Sequence, residues 1–377
     1  MTGRQVHGDR APGAQRGAVE RVRPGETAQL AVRVRRDFGR RVGAPETVRD
    51  RAAFGADSPH GQLDDGTGQQ AAQGGKSALE RFVADADVLI HNFVPGTMEA
   101  WGLSYEHLSA INPRLVYATG SSFGPVGDKA GREGADSTGQ SEGGLMFASR
   151  IDGGPPIMNG AVIADHVGCQ NMVTGILAAL LHRQTTGRGQ RVDVSLVGGM
   201  IYAQASEMTY TLLTGRNPER IDSGHAFVPT LLHTVEAADG WIHLLSGTGP
   251  GWPVFAELLD RPDLAGDERF LALMLSSDAG AELVAIIDEV FPTRTLAEWE
   301  AVLTGAGVRY GLVRDYKAIV ADEAMYDNGY LRRVEHPDGD RVVIGTPIRM
   351  SETPLEPGAV APEPGSAHRR GAPGARL

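Results

Sequence analysis

Residues Gly153 to Leu196 read GGPPIMNGAVIADHVGCQNMVTGILAALLHRQTTGRGQRVDVSL, and this stretch decides the fold. A Gly/Pro-rich loop gives way near Asp165 to an apolar run carrying Val167, Val173, Ile176, Leu177, Leu180 and Leu181. That pattern predicts a helix from about Asp165 to Gln184. Thr186-Gly187-Arg188-Gly189-Gln190 ends it, and Arg191 to Leu196 reads as a short strand. Asp165 therefore opens a helix. A carboxylate there either caps the unpaired backbone N–H groups or acts as a nucleophile held ionised by amide donors. Both readings stand from the local sequence.

The upstream segments share this rhythm. Ser77 to Ala84 is an amphipathic helical pattern, Asp87 to Asn92 an apolar strand, and Val94-Pro95-Gly96 a turn. A helix around Tyr105 to Ile111 is closed by Asn112-Pro113, and Leu115 to Thr119 is a second buried strand. Alternating helices and strands predict an α/β protein with a parallel sheet. Residues 120–162 are loop-rich with one helical segment, Ser137 to Ser149. Downstream, a helix is expected over Met200 to Leu213. From about Val228 an α+β module follows, with a hairpin turning at Asp239-Gly240 and helices at Trp252–Leu259, Ala281–Val290 and Leu296–Thr304. Tyr330 to Met350 alternates like strands, and the tail from Pro354 reads as extended. The expected organisation is an atypical 1–75 segment, a large domain over 76–225, a small α+β domain over 226–328, and a return to the large domain over 329–377.

Composition excludes several classes. The chain has 377 residues, 41% hydrophobic and 22% charged, as a soluble globular protein has. No apolar run approaches the roughly 20 residues that span a bilayer. The start, MTGRQVHGDR, lacks a secretory h-region, so a cytoplasmic enzyme without a membrane partner is the expectation. Cys169 is the single cysteine, which excludes an intrachain disulfide framework; it reads as a small buried hydrophobe one turn beyond Asp165. Histidines such as His182, His225 and His243 show no ligand spacing, so no metal is expected. Net charge is −11, yet residues 1–75 hold twelve Arg against nine Asp and Glu. That basic arm holds only Phe38 and Phe54 as aromatics, too few to interleave its arginines, and does not read as a nucleic-acid site. It also lacks apolar periodicity, contains no Ile, Trp or Tyr, and predicts no buried strand.

Other motifs are weaker. Gly75-Lys76-Ser77 resembles the end of a phosphate loop, but Gln70 stands where that pattern needs Gly. Gly247 to Gly251 (GTGPG) reads as a turn or an anion-binding loop. His166 adjoins Asp165, but helix neighbours point about 100° apart, so the two do not face each other.

Taken together, the segments ADVLIHNFVPGTMEAWGLSYEHL, INPRLVYATGSSFGPVG, GREGADSTGQSEGGLM, GGPP…GAVIAD, ILAALLHRQTTGRGQRVDVSL and RVVIGTPIRMSETP resemble the class III CoA-transferase family. That family includes formyl-CoA and carnitine CoA-transferases and α-methylacyl-CoA racemases. The resemblance spans about Gly75 to Glu363. It implies a Rossmann-like large domain, a smaller α+β domain and an interlocked homodimer. It also implies acyl-CoA and a carboxylic acid as substrates. Asp165 would be the nucleophile, forming an acyl anhydride and then an aspartyl-CoA thioester. Asn92, Phe93 and Val94 match a CoA-contacting segment, and Asp136 and Gln140 match polar positions lining the site. Amides near Gly160 would hold the oxyanions. The racemase branch places His before the Asp of the Gly-x-Asp segment; here that position is Ala135. Racemization thus lacks one of its two bases, and an inactive family fragment is the other alternative.

Three departures stand out. Family members begin with a βαβ unit carrying an Ala-Gly-Pro turn and later an Asn-Lys-Arg-Ser segment, neither present in residues 1–75. The basic residue usual after the Asn-Phe pair is Ala100. The ending Ala367-His368-Arg369-Arg370-Gly371-Ala372-Pro373-Gly374 differs from the family's His-Thr-Asp-Glu-Val-Leu. A one-base shift within codons for that ending yields His-Thr-Asp-Glu-Val-Leu. A frame-shifted tail and a frame-shifted 1–75 segment are therefore expected, with activity impaired as a result.

Overall fold

The computed structural model of the chain describes residues 30–34, 66–150, 153–219, 221, 224–228, 231–245, 247–272, 277–336 and 339–354. The chain divides into two compact units, Met1–Leu145 with Met158–Ala203, and Met146–Ile157 with Gln204–Leu377. Apart from Leu30–Val34 and residues 66–75, the expectations for 1–75 lie outside the described residues, as do those for the tail beyond 354. Both frame-shift readings lie there.

The first unit is α/β. Its elements run β1 (Leu30–Val34), α1 (Gly66–Asp85), β2 (Ala86–His91), α2 (Thr97–Ala100), α3 (Tyr105–Ile111), β3 (Val116–Ser121), α4 (Asp136–Glu142), α5 (Leu145–Ala148), α6 (Ile163–Thr186), β4 (Arg191–Ser195) and α7 (Leu196–Ala203). Of these, α5 crosses the division between the units. The sheet order is β1-β2-β3-β4; β2, β3 and β4 are parallel, and β1 lies antiparallel to β2. The parallel three-stranded arrangement is the expected one. Strand β1 departs from expectation: Leu-Ala-Val-Arg-Val alternates over only five residues, too short to lift the composition of the surrounding segment. The helix expected from Ser77 begins earlier, at Gly66.

Each sheet face is covered separately. Leu89 and Tyr117 pack with Leu79, Val83, Met98 and Leu108 from α1, α2 and α3. Val88 and Val116 pack on Ala179, Ile176 and Leu180 of α6. The apolar residues of α6 do not all meet the sheet. Val173, Leu177 and Leu181 stand 56%, 61% and 65% exposed, four residues apart on the outer face. Buried Asn112 ties the end of α1 to β2, donating from Nδ2 to the carbonyls of Val83 and Ala86 at 2.9 Å each. The single expected helix over 137–149 is interrupted by Gly143 and Gly144, giving α4 and α5. That over 200–213 breaks at Gln204 into α7 and α8 (Ala205–Thr214).

The second unit is α+β. A three-stranded antiparallel sheet, β5 (His233–Ala237), β6 (Gly240–Leu244) and β7 (Tyr310–Val313), is accompanied by α9 (Trp252–Leu258), α10 (Glu268–Leu271), α11 (Ser277–Val290) and α12 (Leu296–Gly305). Ala237 pairs with Gly240, so the hairpin turns on Ala238-Asp239, one residue earlier than expected. Asp239 is needed elsewhere: its Oδ1 accepts the Leu296 amide at 2.6 Å, capping α12 from across the unit. The core sets aromatic rings among aliphatic side chains. Phe291 stacks on Trp299 at 4.0 Å, and the indoles of Trp252 and Trp299 each donate to a backbone carbonyl. The elements α13 (Tyr316–Ala321) and α14 (Glu323–Asp327) lead into the antiparallel pair β8 (Leu331–Val334) and β9 (Arg341–Ile344). Among the described residues, no helix is long and apolar enough to cross a membrane.

Candidate active site

Helix α6 runs back along the parallel strands, so its first turn stands at their carboxyl ends, where ligands of open α/β sheets bind. Asp165 is the third residue of α6 and is exposed. It is not the cap. The N-cap position is Val162, with no side-chain bond. The cap comes from Asp136, 29 residues upstream on α4. Its Oδ1 accepts the Ala164 amide at 2.7 Å and the Asp165 amide at 3.2 Å. Among the described residues, no donor lies on the Asp165 carboxylate itself.

Gln140 locks this arrangement. It is fully buried, and its Nε2 donates to Asp136 Oδ2 at 2.6 Å. The same amide nitrogen lies 3.1 Å from the Ala161 carbonyl and 3.3 Å from that of Asn159. Its Oε1 accepts the Asn159 amide at 2.9 Å. Asn159 Oδ1 in turn accepts the Ala161 amide at 2.9 Å. The loop that holds Gly160 is thus pinned to α4 on both sides, while open space faces Gly160 itself. The close approach depends on Gly139. A Cβ there would lie 2.6 Å from Ala164 Cβ and 2.9 Å from Leu196 Cβ. Only a bare backbone brings Asp136 within reach of α6.

Partial burial raises the Asp165 pKa; the Asp136 charge adds to this and His166 opposes it. A carboxylate of raised basicity is a stronger nucleophile. Cys169 corrects an expectation: it is exposed rather than buried. It shares the open side of α6 with Asp165, His166 and Gln170, which are exposed too.

Asn92, Phe93 and Val94 follow β2 at the same sheet edge. The Phe93 ring stacks on His91 at 5.6 Å and meets the Trp101 ring edge-on at 5.1 Å. The Val94 carbonyl accepts the Thr97 amide at 3.1 Å and starts α2. Asn92 Cβ lies 3.9 Å and Met172 Cε 3.2 Å from the Cβ position of Gly120, near the end of β3. Met172 is seven residues along α6 from Asp165, about 10 Å at 1.5 Å per residue. One sheet edge therefore carries both Asp165 and the Asn-Phe-Val segment, with Asp136 and Gln140 against the first turn of α6.

This edge combines a capped helix, a carboxylate with no donor among the described residues and an aromatic strand end, in keeping with the sequence resemblance. The sequence matches the family described as CoA-transferase family III over residues 71–368. The chain belongs to CoA-transferase family III. It is 29% identical over 307 residues to the formyl-CoA:oxalate CoA-transferase of Streptomyces coelicolor, covering 75% of this chain and 72% of that protein. It is 32% identical over 284 residues to the acetyl-CoA:oxalate CoA-transferase of Acetobacter aceti, covering 74% and 71%. Among solved structures, a CAIB/BAIF family protein from Brucella suis aligns with a TM-score of 0.69 and 31% identity, over 79% of this chain and 78% of that one. Family membership thus supports CoA transfer as the general chemistry.

One residue at this edge, His91, is not among those the sequence singles out. It is 5% exposed, with Nε2 3.0 Å from the Tyr117 hydroxyl and Nδ1 accepting the Phe93 amide at 3.3 Å. An amide donor on Nδ1 requires the neutral ring, and burial lowers the pKa to about 4. A histidine immediately before the Asn-Phe pair inside an apolar strand is the available signal. Its consequence is an acid sensitivity. Between pH 6.5 and about 4 the unfolded chain binds a proton that the folded chain refuses, so stability falls as pH drops through that window. The expected loss is roughly 2–3 kcal/mol. Urea unfolding at pH 7 and pH 4.5 checks it: His91→Gln should flatten the dependence, and an unchanged slope in that variant would refute the assignment.

Proposed function

We propose that this protein moves CoA from an acyl-CoA donor to a carboxylic acid, with Asp165 as the covalent relay. The observation that carries the reading is the division of labour at the start of α6: Asp136 caps the helix, and among the described residues the Asp165 carboxylate has no donor. An Asp165 oxygen attacks the thioester carbonyl and CoA leaves as thiolate, giving a mixed anhydride. The thiolate attacks the Asp165 carbonyl carbon and releases the donor acid, giving the aspartyl-CoA thioester. The acceptor carboxylate attacks that carbon, again expelling CoA thiolate. The thiolate then takes the acceptor acyl group and frees Asp165. Splitting one exchange into acyl transfers of this kind lowers each barrier. The Gly160 amide is the donor we assign to the developing oxyanions.

Asn92, Phe93 and Val94 are assigned to CoA contact. Asp136 and Gln140, placed among the ligand-lining positions by resemblance, support the site through the contacts that aim α6. Ala135 offers no base beside Asp136, which favours transfer over racemization. The reading includes a cytoplasmic homodimer, and the exposed Val173, Leu177 and Leu181 stripe supplies an apolar face for it. The division at 76–225, 226–328 and 329–377 belongs to it as well. So does reduced activity, because the two CoA-contacting segments absent from 1–75 have no counterpart there.

Incubation with an acyl-CoA, followed by hydroxylamine and mass spectrometry, tests the relay. The peptide containing Asp165 should carry the adduct and convert to a hydroxamate. Labelling that persists in Asp165→Ala would sink the proposal. A second measurement concerns Asp136→Asn. Removing a neighbouring negative charge lowers the Asp165 pKa, so the acid limb of the transfer rate should move to lower pH. Weakening the cap should also cost about 1 kcal/mol of stability. A pH profile that does not move would dissociate Asp136 from the nucleophile.

A further inference from the structure

We infer that the groove between α14 and the β8–β9 pair is a phosphate-binding site, separate from the chemistry assigned to Asp165. The groove encloses about 480 Å³ and is lined by Arg332, Arg333, Arg349, Thr346 and Asn328, with Asp327 as the carboxylate among its described lining residues. Three arginines line this one concavity of a chain whose net charge is −11. They are also held in place. Arg333 donates to Glu323 Oε1 at 2.8 Å and stacks over the Tyr326 ring at 3.9 Å. Arg332 lies along the backbone of Gly329, its Nη2 3.5 Å from where a side chain would begin. Thr346 Oγ1 accepts the Ile348 amide at 3.3 Å, so its O–H remains to donate.

Guanidinium forks match oxyanions, and a phosphate presents three acceptor oxygens where a carboxylate presents two. Arginine side chains beside a hydroxyl donor therefore fit the tetrahedral group better than the planar one. Free phosphate and the phosphates of a nucleotide such as that of CoA share this chemistry.

Calorimetry on the full chain tests the site with inorganic phosphate, pyrophosphate, 3′-phosphoadenosine 5′-phosphate and oxalate. Pyrophosphate should bind saturably and more weakly as salt rises. Arg349→Ala and Arg332→Ala should each weaken binding about tenfold or more. Arg349 is exposed, so its variant should unfold as the parent does. Tighter binding of the nucleotide than of pyrophosphate marks a nucleotide as the natural source; equal binding of inorganic phosphate marks the free anion. Both outcomes support the site. Absence of saturable binding at millimolar anion, undiminished binding in Arg349→Ala, or preference for oxalate would overturn it. Asp165→Asn should bind these anions normally, which separates failure of this site from failure of the transferase reading.

Discussion

Asp165→Asn is expected to fold like the parent and to lose CoA transfer by on the order of 10⁴-fold or more. The size of the effect follows from the proposed role. A covalent relay without its nucleophile leaves only the uncatalysed exchange between two bound reactants. The specificity of the test follows from the structure. No described donor rests on the Asp165 carboxylate, and the first-turn amides of α6 are served by Asp136. The amide side chain therefore removes reactivity without removing a cap, and stability should change by no more than about 0.5 kcal/mol. Transfer to a carboxylate acceptor, followed by chromatography of the CoA esters, reads the activity; urea unfolding reads the fold. Retained transfer would show that the group exchange runs through another residue. Lost transfer accompanied by a large loss of stability would show that Asp165 is structural.

Gly189→Ala should have the largest effect on stability, about 3 kcal/mol or more. Gly189 follows the end of α6 and donates its amide to the Pro113 carbonyl at 2.9 Å. A Cβ at this position would fall on the carbonyl of Leu115 and 2.6 Å from the carbonyl oxygen of Arg114. Backbone cannot step aside as the end of a flexible side chain can. The clash falls where β3 and β4 enter register: the Tyr117 amide donates to the Gln190 carbonyl at 3.0 Å, and Tyr117 pairs with Arg191. Forcing the strands apart there would also loosen Arg183, whose guanidinium holds Asp87 Oδ1 at 2.8 Å and the Arg114 carbonyl at 3.0 Å. The measurement is the urea midpoint of the full chain. The neighbouring Arg188 is exposed and already carries a side chain, so Arg188→Ala serves as the comparison and should be near neutral. A Gly189→Ala protein as stable as the parent would mean that the strands separate without cost.

Much of the first unit was legible because its signals are local. The apolar runs at Asp87 to Asn92 and Leu115 to Thr119 and the long pattern after Asp165 became β2, β3 and α6 within a few residues of the expected bounds. Where the reading failed, a local signal had two outcomes. Val173, Leu177 and Leu181 look as core-like in sequence as Ile176 and Leu180, yet only the latter pair meets the sheet. Strand β7 escapes a sequence reading since Tyr-Gly-Leu-Val is short and pairs with β6, which lies far upstream in the chain. His91 escapes it because burial, not its neighbours in the chain, keeps it neutral.

By itself the sequence determined the order of helices and strands and the presence of an acid at the mouth of a long apolar helix, since periodicity and turn residues act within a few positions of themselves. Only the tertiary structure decided which acid caps that helix and which stands open. The unpaired amides of a first turn donate to any carboxylate brought near, and bringing Asp136 there depends on two helices touching at Gly139.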